Sequence, residues 1–144
     1  MTLLSDVEIE KRLQDGSLVI NPFDSSSLNG AGYDLRLAAK LHMEAHEHHL
    51  VATLERVELG EGMVGTLHIR SSLARAGIFA SLALVDPGFR GQLTIALYNA
   101  GTAPFNMNKS DRFLQIAFHP LSTKTLRPYR GRYQDSQGTV DTRQ

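Results

Sequence analysis

With 144 residues, 42% of them hydrophobic and 21% charged, the chain has the length of one domain and enough apolar material for a single core. Fifteen basic and fifteen acidic side chains cancel, which argues against bulk-charge binding of duplex nucleic acid or an anionic membrane, so any anion must be gripped locally. Cysteine is absent, which excludes disulfides and closes the zinc-deaminase mechanism, whose metal site needs cysteines.

The first segment, Met1-Thr-Leu-Leu-Ser-Asp-Val-Glu8, runs into acidic residues with neither a basic leader nor a long apolar stretch, which predicts a cytoplasmic protein. Ser5 and Glu8 form a capping box, Ile9 and Leu13 share one helical face, and Gly16 stands where a carboxyl-terminal cap belongs. One short amphipathic helix is therefore predicted over residues 6–15.

Beyond it the periodicity changes to short runs rich in Val, Leu, Ile, Thr and Phe, broken by Gly, Pro, Asn and Asp. Strands are predicted over 50–57, 65–69, 91–99 and 112–120, and in 93–98 the residues alternate between two unlike faces. The fold class is all-β. Before these strands, His42, Glu44, His46, His48 and His49 crowd into eight positions. Alternation on a strand would put four of them on one side and invite a metal site, but a solvated loop or hairpin reads the same way and is preferred.

Two neighbouring segments carry the chemistry. Arg70-Ser-Ser-Leu-Ala-Arg75 offers two guanidinium groups and two hydroxyls, donors suited to phosphate oxygens in a turn-forming sequence. Val85-Asp-Pro-Gly-Phe-Arg-Gly91 places a carboxylate at the start of a tight Pro-Gly turn. After residue 126 the chain is polar with little to bury, so the β domain is assigned to residues 1–126 and a mobile tail to 127–144.

Five ordered segments resemble the superfamily of dUTPases and dCTP deaminases: Gly30-Ala-Gly-Tyr-Asp-Leu-Arg36, Arg70 to Gly77, Val85 to Gly91, Ser110-Asp-Arg-Phe-Leu-Gln115, and the tail Arg132 to Thr139. The opening, Leu4 to Ile9 through Ile20-Asn-Pro-Phe23, is similar to the deaminase branch, as is the tail. The resemblance implies a distorted jelly roll, the β-clip, assembled as a homotrimer with active sites shared between chains. The substrate implied is a deoxypyrimidine nucleoside triphosphate, with Mg2+ as cofactor. By the same resemblance Asp86 is the catalytic carboxylate, and Arg70, Ser71, Ser72, Arg75 and Gln115 bind the phosphates. Phe89 packs on the deoxyribose, Tyr133 and Gln137 belong to a tail that closes over the ligand, and Asp34 and Gln115 hold the metal through water.

The two branches break different bonds. A diphosphatase attacks the α-phosphorus with water; a deaminase attacks C4 of cytosine and needs a proton carrier, a glutamate in that branch. The register places Ala96 there, and an alanine carries no proton. Asp34 also precedes Arg70 by 36 positions, which is similar to the compact diphosphatase spacing. The catalytic inventory therefore favours a dUTP diphosphatase, with a dCTP deaminase using a relocated proton carrier, or an inactive nucleotide-binding homologue, as alternatives. Between Arg70 and Asp86 there are 16 steps, so the hairpin near Ala80 to Leu84 is one or two residues short, which leaves the base unassigned. Ser110 stands where the family prefers glycine, at a position suited to positive φ.

Overall fold

A computed structural model describes residues 2–142. The helix forms where its caps predict. In α1 (Asp6–Asp15) the Ser5 hydroxyl accepts from the Glu8 backbone N–H at 3.5 Å, and Gly16 ends the helix in the left-handed region at φ 80. Ile9 is its buried residue, and the helix packs on β1 (Leu18–Asn21).

A one-turn 3-10 segment (Ser25–Ser27) leads into β2 (Leu28–Asn29) and β3 (Gly32–Arg36), followed by β4 (Leu41–Met43), β5 (His48–Leu59) and β6 (Met63–Ile69). A second helix, α2 (Ser71–Arg75), precedes β7 (Ile78–Ser81), β8 (Arg90–Asn99), β9 (Phe105–Met107) and β10 (Arg112–Pro120). The strands form two four-stranded antiparallel sheets, ordered β1-β5-β8-β7 and β2-β3-β10-β6, and a two-stranded β4-β9 ribbon. Side chains of both sheets meet in one core, Leu18, Val57 and Leu97 from the first with Leu35, Phe113 and Phe118 from the second, all fully buried. Each strand predicted from the sequence is present, with ends moved by up to two residues.

One expectation is corrected. The segment after Arg70 is a helix rather than a plain turn, because burying Leu73 holds its single turn against β7. The histidines fall in the hairpin preferred from the sequence and do not share one strand face: β4 and β5 are joined by a turn in which His46 sits at φ 66. There His42 bonds Asn106 at 2.6 Å and Glu44 at 2.8 Å, while His49 bonds Glu47 at 3.1 Å. Among the described residues no three His, Asp or Glu side chains converge as metal ligands. The tail hydrogen-bonds to β8 as far as Val140, with the last two residues of the 127–144 segment outside those described. No helix among the described residues is long and apolar enough to cross a membrane.

One buried polar network joins the sheets. Glu55, fully buried on β5, accepts from the Tyr33 hydroxyl at 3.0 Å, the Arg36 backbone N–H at 2.9 Å and Arg36 Nε at 3.0 Å. Every oxygen of this carboxylate thus has a donor, which lets a charge sit inside the protein.

Candidate active site

Neighbouring strands bring together residues to which the sequence assigned the phosphates and the metal. Asp34 on β3 is the register partner of Gln115 on β10, so the two side chains lie on the same sheet face. Between them stands Asn29, whose amide donates to Asp34 Oδ1 at 3.2 Å and whose oxygen accepts from Gln115 Nε2 at 3.1 Å. The approach of β3 to β10 depends on Gly32: a Cβ there would stand 2.5 Å from the Ile116 carbonyl oxygen and 2.9 Å from Gln115 Nε2. Asn29 was not singled out from the sequence, where Asn29-Gly30 reads only as a turn signal.

Arg70, at the junction of β6 and α2, closes this cluster. Its Nε lies 3.3 Å from Asp34 Oδ2, and Nη1 donates to the Arg112 carbonyl at 3.2 Å. Ser71 and Ser72 begin α2 with exposed side chains, and Arg75 ends it, also exposed. Both Asp34 oxygens are therefore engaged, one by Asn29 and one by Arg70. As the single carboxylate of the cluster, it suits a metal-bound water better than direct ligation of an ion. Nearby, Ser110 has φ 73, the left-handed conformation inferred for that position.

The second constellation is built around the turn from Asp86. The Phe89 N–H donates to the Asp86 carbonyl at 3.1 Å, and Gly88 at φ 83 supplies the positive φ of a Pro-Gly turn. Gly88 also admits the tail: a Cβ would lie 2.8 Å from that of Pro128, and the Tyr129 N–H donates to the Pro87 carbonyl at 2.8 Å. Behind the turn Phe89 is buried, edge-on to Tyr129 at 5.5 Å. In front opens a cavity of about 400 Å³ lined by Asp86, Phe89, Gln92, Thr94, Tyr133 and Leu84, among others. Ala83 to Val85, the end of the shortened hairpin, form part of its wall. Ala96 follows Thr94 on the same face of β8 and offers only a methyl group.

The structure thus divides the predicted residues into two sets. Asp34, Arg70 and Gln115 form one; Asp86, Phe89 and Tyr133 form the other, and no member of the first lines the cavity of the second. Gln137 is exposed on the tail and belongs to neither. Asp135, another residue missed in the sequence, ties the tail to Arg56 and Arg90, whose hydrogen bonds hold its carboxyl below the usual carboxylate range.

A family model described as dUTPase matches residues 20–141. A protein of Thermococcus gammatolerans named dCTP deaminase is 42% identical over 94% of this chain and 92% of its own. One of Pyrococcus furiosus with the same name is 41% identical over 93% and 92%. Among solved structures, a 2′-deoxycytidine 5′-triphosphate deaminase from Agrobacterium tumefaciens superposes with a TM-score of 0.71 at 18% identity, covering 81% of this chain and 47% of that one. The chain thus spans about half the length of that structure but nearly all of the two archaeal relatives. These relatives overturn the diphosphatase reading drawn from the sequence. That reading let one position, Ala96, decide the chemistry, whereas similarity over the whole chain goes with the deaminase name.

Proposed function

Since the chain belongs to the superfamily of dUTPases and dCTP deaminases, we propose that it is a dCTP deaminase, converting dCTP and water to dUTP and ammonia. The observation that carries this is the likeness, over almost its full length, to relatives that bear that name. The geometry adds a proton carrier: Asp86 is a carboxylate in the wall of a nucleoside-sized cavity with the Phe89 ring behind it. Asp86 takes one proton from the water that attacks C4 and gives it to the exocyclic amine; the C4–N bond breaks to release ammonia, and the water's second proton ends on ring N3 as the C4 carbonyl forms. This relocates the role that Ala96 lacks.

The deoxyribose packs on Phe89, where a 2′-hydroxyl would be crowded. Mg2+ bound with the triphosphate would offset its charge. Arg70, Ser71, Ser72 and Arg75 grip the phosphate oxygens, while Asp34 and Gln115 would hold the metal through water. Because the residues assigned to the phosphates do not line the cavity on one chain, a complete site takes residues from a second copy, which supports the homotrimer that the superfamily resemblance implies. Tyr133 and Gln137 close the tail side.

Incubation with dCTP and Mg2+ tests this directly. The expected products are dUTP and stoichiometric ammonia, with Asp86→Asn slower by about 10²–10⁴. Pyrophosphate release without ammonia would overturn the deaminase. A second reading, a nucleotide-binding homologue without turnover, is favoured by Ala96 alone and predicts calorimetric binding of dCTP with no product.

A further inference from the structure

The tail lies on its own chain in a way its composition does not explain. Residues 133–142 contain little to bury, yet Ser136 pairs in parallel with Gly91, and the Gln92 N–H donates to the Ser136 carbonyl at 2.9 Å. Further along, the Gly138 N–H donates to Gln92 Oε1 at 2.6 Å and the Val140 N–H to Thr94 Oγ1 at 2.9 Å. Two side chains of β8 thus act as a second backbone for the tail to pair with. The approach is close enough that a Cβ on Gly91, itself at φ 149, would meet the Ser136 nitrogen at 2.9 Å.

At the start of this ladder stands a charged anchor. Asp135 Oδ1 lies 2.7 Å from Arg56 Nη2, Oδ2 lies 3.0 Å from Arg90 Nη2, and the Asp135 N–H donates to the Arg90 carbonyl at 2.7 Å. Asp135 adopts φ 58, which an aspartate or asparagine tolerates better than most residues. Downstream of the anchor, Ser136, Val140, Asp141 and Thr142 form one wall of the cavity that holds Asp86 and Phe89.

We propose that Asp135 is a positioning residue: clamped between Arg56 and Arg90, it seats the tail on its own subunit and so builds the outer wall of the cavity before any nucleotide arrives. The nature of the ligand rests on the deaminase reading above; the clamp does not. Upstream the tail is held by neutral contacts, Tyr129 on Phe89 and Gln134 on the Arg90 N–H and the Gly88 carbonyl, but beyond them apolar burial is scant, so the charge at Asp135 decides whether the following weak hydrogen bonds form together. Each pair is partly exposed and worth little alone, but one carboxylate shared by two guanidinium groups fixes both chain direction and register. The wall is then built in cis, while the phosphate residues come from another copy.

Hydrogen exchange of the nucleotide-free, full-length protein tests the clamp. The Gly138 and Val140 amides are expected to exchange more slowly than in an unstructured peptide. Asp135→Asn, which keeps the left-handed backbone and removes the charge, should speed them about fivefold, as should raising salt from about 0.05 to about 0.5 M. Arg90→Gln should do the same, with the β5–β8 ladder amides unchanged. An unprotected wild-type tail, or an Asp135→Asn tail that exchanges at the wild-type rate, would overturn the proposal. In parallel, Asp135→Asn should weaken dCTP binding about fivefold in calorimetry. If the wild type binds no nucleotide, the deaminase reading fails and the exchange result still judges the clamp.

Discussion

Burial gives Tyr33 an unusual titration. Its ring is fully buried on β3, and its hydroxyl pKa is pushed from 10.0 up to about 12 by that burial and by the adjacent Glu55 carboxylate. The unfolded chain ionises this phenol near 10 while the folded one resists, so the stabilising contribution is complete below about pH 10 and disappears as pH rises towards 12. Denaturation midpoints measured at pH 9 and 11 are expected to show this loss, and Tyr33→Phe should flatten the difference between them. A Tyr33→Phe protein with the same alkaline loss would place its origin elsewhere. Glu55 itself reads in the sequence as one more charged residue in an alternating strand; only the fold shows that it is fully buried with Arg36 as its partner. Asn29 is a similar case, a turn residue by local pattern and a bridge between Asp34 and Gln115 in space.

Elements differed in how much of their cause is local. For α1 the cap residues, the apolar pair and the terminal glycine all lie within a dozen positions, and helix 6–15 is legible from end to end. Strand existence was legible too, because alternation and turn residues are local signals, while strand ends depend on pairing partners. The five-residue α2 could not be read so, since one helical turn has no stability of its own and forms because Leu73 is buried. Gly32 links element to site. Gly32→Ala is expected to destabilise the protein by about 1–3 kcal/mol in urea titrations, because its methyl group would force β3 away from the Ile116 carbonyl. It should weaken nucleotide binding too, by shifting Gln115. Gly30→Ala, with nothing within 4 Å of the added carbon, is the control expected to be near neutral. Equal effects from both would mean that crowding at β10 is not the cause.

Across the whole molecule, the separation of Asp34, Arg70 and Gln115 from the cavity at Asp86 predicts that a single copy cannot turn over substrate. Sedimentation should give about three times the 15.9 kDa of the chain. Mixing an Asp86→Asn protein with an Arg70→Ala protein, each inactive alone, should restore activity if subunits exchange, because some sites then combine intact halves. A fully active monomer would defeat the shared site. By itself the sequence determined the superfamily, the all-β class and the helix, since these follow from local pattern and from motif order. It misjudged the reaction by treating Ala96 as decisive, against a likeness over the whole chain to relatives named dCTP deaminase. Only the tertiary structure decided which of those residues face one another, that the anion-binding cluster and the cavity lie apart, and that the tail is clamped to β8. Such facts rest on strand register and on contacts between residues as far apart as Arg56 and Asp135, which no local run of sequence contains.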